Sequence, residues 1–214
     1  CLRHEIPFPH FNRLDGRPVK PSPLYELLGE QGAVYEEVYG HERPRWFTDG
    51  TVEQRDHYSF RKTVVDDMVA REVAAVRNAV GIMDISAFTK VEVSGPDAEA
   101  LLDRLTANRL PKKIGGIGLT HMLNEAGRIE LETTIVKLDE ARYYLVCAAF
   151  FEQRLLDHIA THRGQDDVSV RCLSDAWCAL ALNGPQSRTV LSSVTDTPLD
   201  NDSFKWLTGQ LITI

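Results

Sequence analysis

The chain is short of three things: paired cysteines, basic blocks and long apolar runs. Its four cysteines, Cys1, Cys147, Cys172 and Cys178, show no CxxC spacing and no clustered histidine, which argues against a zinc site or a redox pair and for reduced thiols. Cys147 lies in the apolar run 143–149 and Cys178 in 177–182, so both are expected to be buried. No apolar run approaches the roughly 18 residues that span a bilayer. With a net charge of −7 and lysines and arginines scattered among the acids, nothing tracks a phosphate backbone, so neither a nucleic acid nor a membrane is an expected partner. A dinucleotide fingerprint is also missing. The cluster Gly115-Gly116-Ile117-Gly118 is neither GxGxxG nor GxxxxGK, and is read as a tight turn.

What is present suits a packed globular protein. Of the 214 residues 43% are hydrophobic and 26% charged, and a chain of this size buries roughly 70% of its unfolded surface. Residues 1–23 carry Pro7, Pro9, Pro18, Pro21 and Pro23 without a regular period, and are expected to form an extended junction. Residues 24–32 read as a short helix, 33–40 as a strand, 41–47 as a packed irregular segment around Pro44, and 48–59 as a loop. A helix is expected over 65–80, with Met68 or Val69, then Val73, Val76 and Val80, as its apolar stripe and Gly81 as a left-handed cap. Strands follow at 82–86 and 89–93. A helix then opens at Pro96, with Leu101, Leu102 and Leu105 inward, and ends near Asn108.

The most informative stretch is 119–138. A turn at 124–127, where Asn and Gly tolerate positive φ, joins two strands. The returning strand alternates, with Ile129, Leu131 and Ile135 on one face and Glu130, Glu132 and Thr134 on the other, so the two carboxylates are expected to point the same way. A third strand is expected over 143–149, followed by a helix with Phe151, Leu155, Leu156 and Ile159 inward. That helix carries His158 and His162 one turn apart, which without a third ligand is read as two solvent-facing histidines. A strand ending in Gly95-Pro96 with a helix behind it recurs at Gly184-Pro185. This repeat predicts an α+β fold, a duplicated split β-α-β (ferredoxin-like) arrangement truncated at its C-terminal end.

Four segments carry a resemblance: 32–47 with Glu42-Arg43-Pro44-Arg45-Trp46-Phe47, 77–86 with Asp84-Ile85-Ser86, Gly95-Pro96-Asp97-Ala98, and the hairpin 122–129. Together they resemble the tetrahydrofolate-binding domain shared by the glycine cleavage T protein and the C-terminal halves of dimethylglycine and sarcosine dehydrogenases. The likeness runs from about Leu24 to the end. The Glu-Arg-Pro-Arg-Trp-Phe run and the proline-rich approach are similar to the dehydrogenase branch. Residues 1–23 then become the junction from a preceding flavoprotein domain, 24–214 the N-terminal part of the folate-binding domain, and the chain a fragment.

The resemblance implies one-carbon transfer from an amine-derived donor to tetrahydrofolate, with FAD held in the upstream domain and the protein placed in the bacterial cytoplasm or the mitochondrial matrix. It places the catalytic acid at Glu132, where the T protein usually has two adjacent aspartates and this chain has Leu131 then Glu132. Thr120, Met122 and Asp84 join Glu132 as expected folate-binding residues, with a turn-forming role for Asp84 ranked ahead of ligand contact. No metal is implied. The rival readings are a non-catalytic folate-binding or structural module and a free folate-dependent aminomethyltransferase or demethylase.

Overall fold

The computed structural model of the chain describes residues 6–9 and 11–214; Cys1 and the opening of the proline-rich junction lie outside the described residues. In chain order the elements are α1 (Tyr25–Glu30), β1 (Ala33–Val38), β2 (His41–Phe47), α2 (Val64–Asn78), β3 (Gly81–Asp84), β4 (Thr89–Ser94), α3 (Ala98–Leu105), β5 (Ile117–Leu123) and β6 (Ile129–Asp139). After them come β7 (Arg142–Cys147), α4 (Glu152–Arg163), β8 (Ser169–Cys172), β9 (Leu180–Asn183) and α5 (Ser187–Ser192). They form a mixed α and β structure whose strand pairs are antiparallel. The chain divides into two compact units: the described residues up to Ala87 with Leu180–Ser187, and Phe88–Ala179 with Arg188–Ile214. Among the described residues no helix is long and apolar enough to cross a membrane.

In the first unit β1 pairs with β2, and Val34, Trp46, Val65 and Met68 close a small core between this hairpin and α2. The segment 41–47 is therefore a strand, not an irregular stretch. The register slips beside Pro44, with Val34 opposite Trp46 and Tyr35 opposite Pro44, so the proline sits at a bulge, where its missing N–H is tolerated. The segment 17–20 is tied to this hairpin: Arg17 pairs with the buried carboxylate of Glu42, and Lys20 bridges to His41. α2 opens on a capping box, Thr63 with Asp66, and buries Val65 and Met68, whereas Val69 and Val73 are exposed. Gly81 is the first residue of β3 and has no positive φ, so it is not the expected left-handed cap.

The second unit is a five-stranded sheet in the order β5-β6-β7-β4-β8. β7 lies between β4 and β6, and β4 between β7 and β8, so the two connections through α3 and α4 interlock as a split β-α-β pair with β5 added outside β6. Leu101, Leu102 and Leu105 of α3 and Leu155 and Ile159 of α4 pack with Val91, Val93, Leu131, Ile135 and Leu145 in one core. Cys147 belongs to that core, but Cys178 is exposed, contrary to expectation. Glu99 of α3 accepts from Lys137 Nζ (3.0 Å) and from Tyr143 Oη (2.7 Å), which ties the helix to β6 and β7.

The Gly-Pro repeat is visible in the backbone. Gly95 has φ +128° and Gly184 φ +118°. Two residues further on, Asp97 N donates to Asp167 O (3.5 Å) and Gln186 N to Ala79 O (3.0 Å). Asp167 and Ala79 each precede a strand, β8 or β3, that pairs with the strand leading to the glycine. A second complete split β-α-β set is not present among the described residues, since β9 and β3 make a sheet of two strands.

A Cβ at Gly95 would stand 2.4 Å from Asp167 O, whereas one at Gly127 (φ +71°) would meet nothing within 4 Å. Gly95→Ala is expected to cost at least about 2 kcal/mol in urea unfolding, from close approach added to positive φ. Gly127→Ala should cost only about 1 kcal/mol, from φ alone.

Candidate functional site

The site is built on β6. Leu131 and Ile135 are fully buried under the helices, and Thr133 and Lys137 follow the same alternation. The residues between them face the other side of the sheet. Glu132 is one of these, with its side chain 58% exposed. Directly opposite it on β5 is His121, and Nε2 of the ring lies 3.3 Å from Oε2 of the carboxylate. By register this face also carries Leu119 opposite Thr134, then Val136 opposite Tyr144, and Tyr144 opposite Glu92. Glu92 pairs with Arg171 at 3.0 Å, and the Tyr144 ring stacks 5.7 Å from Trp177. Burial pushes the Tyr144 phenol up to about 12.

Glu130 does not share this face with Glu132. The β5-β6 register slips, with Met122 opposite Leu131 but Leu123 opposite Ile129, which leaves Glu130 as the extra residue of a bulge. Its carboxylate turns to α4, accepting from Arg154 Nε (2.6 Å) and from Asn124 Nδ2 (2.8 Å). The hydrogen bonds from Arg154 and then Asn124 hold its carboxyl below the usual glutamate range. One turn along α4, His158 stacks 4.4 Å from His162, and its Nε2 is buried without a hydrogen-bond partner. Burial, then the neighbouring His162, lowers its pKa. Among the described residues no group of His, Cys, Asp and Glu is arranged to hold a metal.

The other expected site residues fall elsewhere. Met122 is fully buried in the core with Leu131, and Thr120, on the same helix-covered face, accepts from Asn108 N at 3.0 Å. The structure thus brings Thr120 and Met122 together and leaves Glu132 on the opposite face. Asp84 belongs to the first unit. It accepts from Ser86 N (2.9 Å) and from the Ser22 hydroxyl, fixing the bend after β3. The residue that sequence reasoning missed is His121. Continuing the turn register without a bulge would have set it opposite Leu131, so only the slip brings it to Glu132.

The second unit is thus a mixed α and β domain, an antiparallel sheet closed by helices on one face, with a solvent-facing acid beside a histidine on the other. The chain belongs to the family described as GCVT N-terminal domain, which matches residues 24–214. Mitochondrial dimethylglycine dehydrogenase of Mus musculus is 33% identical over 205 residues, covering 94% of this chain and 23% of that protein. The mitochondrial regulatory subunit of pyruvate dehydrogenase phosphatase, also of Mus musculus, is 30% identical over 212 residues, covering 96% and 24%. Among solved structures, aminomethyltransferase T of the glycine cleavage system from Bartonella henselae superposes with a TM-score of 0.72 at 26% identity, covering 89% of this chain and 47% of that one. The chain therefore spans about a quarter of the length of the curated relatives it matches.

The Glu130 pairing has a pH signature. A carboxylate with a depressed folded-state pKa stabilises the fold above its unfolded pKa, and that stabilisation is lost as pH falls through the folded value. Glu130→Gln should therefore lower stability at pH 7, and the difference from wild type should shrink as pH is lowered below the ordinary glutamate range of about 4. Urea unfolding across this span of pH checks this.

Proposed function

We propose that this chain is the tetrahydrofolate-binding, one-carbon-accepting part of an FAD-dependent N-methyl amine dehydrogenase of the dimethylglycine or sarcosine type. The observation that carries this reading is the placement of Glu132, an exposed carboxylate on the open face of the sheet, in a chain whose family is that of the T protein. FAD is assigned to an upstream flavoprotein domain acting in cis, since no residue run of this chain has the chemistry of a dinucleotide site. The 1–23 junction and the 24–214 folate-binding part are our division of the chain by role. The tie between the segment 17–20 and the β1-β2 hairpin supports a junction that is docked and not loose. The equivalent backbone geometry at Gly95 and Gly184 supports a repeated strand-to-helix junction, of which only the Gly95 copy belongs to a complete split β-α-β set among the described residues. Mitochondrial relatives favour the mitochondrial matrix, with the bacterial cytoplasm as the alternative.

The residues fit the chemistry. Tetrahydrofolate supplies, when bound, the amine nitrogen that accepts the carbon from the amine-derived donor. In this reading Glu132 stabilises the positive charge that builds on that nitrogen as the C–N bond forms, and then takes up its proton. Its Oε2 faces His121, leaving Oε1 for the ligand. Thr120 and Met122 act in this reading from beneath: Thr120 anchors the 106–110 segment through Asn108, and Met122 fills the core behind Glu132's strand. Asp84 holds its bend.

A second reading is a non-catalytic module. It is favoured by the relative that is a regulatory subunit, and by Leu131, whose side chain is in the core, so that no second acid adjoins Glu132 on its face. Calorimetric titration of the full-length protein with tetrahydrofolate, followed by carbon-transfer kinetics, separates the two. Under our reading the wild type binds, and Glu132→Gln binds but turns over at least about tenfold slower. Failure of the wild type to bind tetrahydrofolate leaves the structural module.

A further inference from the structure

In water an exposed ion pair contributes little to stability and restricts two side chains, so the His121 and Glu132 pair is poorly explained as a device for holding β5 to β6. The two strands are already joined by a ladder from Ile117 to Leu123 and by the buried contact of Met122 with Leu131. A pair at 3.3 Å across two neighbouring strands does, however, fix where a carboxylate points. It also gains strength when a ligand covers it and excludes water. The other charged groups close along these strands are engaged elsewhere: Glu130 with Arg154, and Lys137 with Glu99. On the β7 side the register pair nearest Glu132 is Thr134 with Val146, neither of them charged. The charged side chain recorded beside Glu132 is His121, directly across on β5.

We propose that His121 is a positioning residue for Glu132: its Nε2, 3.3 Å from Oε2, carries the hydrogen that this oxygen accepts and so turns Oε1 toward the ligand's amine nitrogen. The inference rests on the tetrahydrofolate reading and extends it to a residue that the sequence did not single out. The donor requirement fixes the ring state, because Nε2 must carry the hydrogen. It also predicts which substitutions rescue. Glutamine keeps an N–H donor at a similar reach, and phenylalanine keeps the ring without one.

The test has two arms on the full-length protein. In the first, NMR at fixed neutral pH compares the His121 ring nitrogen resonances of wild type and Glu132→Gln. Loss of the carboxylate should move the Nε2 resonance by removing its hydrogen-bond acceptor, and an unchanged Nε2 resonance overturns the pairing. In the second, tetrahydrofolate titration and carbon-transfer kinetics are measured for His121→Phe, His121→Gln, Glu132→Gln and the double variant His121→Phe with Glu132→Gln. His121→Phe should lower turnover about tenfold, the usual worth of a hydrogen bond to a charged group. His121→Gln should restore it to within about threefold, and His121→Phe should add less than about twofold once Glu132 is Gln. Additive effects, or a His121→Phe variant as active as wild type, overturn the positioning role while leaving the tetrahydrofolate reading standing. Absence of tetrahydrofolate binding by the wild type overturns both.

Discussion

Burial of Leu131 and Ile135 under α3 and α4 is the constraint on which the site depends. A strand has a period of two, so once those side chains are committed to the core the register of β6 is fixed and Glu132 must face the other way. A slip of one residue would put a carboxylate in the core and a leucine on the open face, and both would be costly. The acid is thus placed by hydrophobic packing on the far side of the sheet from it.

The bulge at Glu130 reconciles two demands on the same hairpin. The Asn124 turn sets one register, with Leu123 opposite Ile129, and the core requires another, with Met122 opposite Leu131. One extra residue changes the phase between them. It frees Glu130 to reach Arg154, and it brings His121 opposite Glu132. Local turn geometry, core packing and the geometry of the acid therefore meet in a single inserted residue.

The glycine junctions do similar work for the layers. At Gly95 and Gly184 the chain leaves a strand and enters a helix with a neighbouring carbonyl packed where a side chain would begin. At Gly95 this lets α3 lie close over its sheet, and at both glycines an amide just beyond the proline donates to the neighbouring segment. With α3 held in place this way, Glu99 can gather Lys137 and Tyr143 from two strands. Burial, then Glu99, pushes the Tyr143 phenol up to about 12, so it stays a hydrogen-bond donor throughout the physiological range.

The sequence by itself determined the elements with strong periods: the leucine-rich α3, the 124–127 turn, the alternation of β6, the inward face of α4 and the Gly-Pro repeat. In these, propensity and pattern act over neighbouring residues and agree with the final fold. It also determined the family, through runs such as 32–47 and the hairpin. Only the tertiary structure decided that Pro44 sits within a strand, that Val69 and Val73 of α2 are exposed, and that Glu130 turns to α4 while Glu132 meets His121. Each of these depends on what packs against a residue from a distance, on a bulge or on a neighbouring strand, and a linear pattern carries no record of such partners.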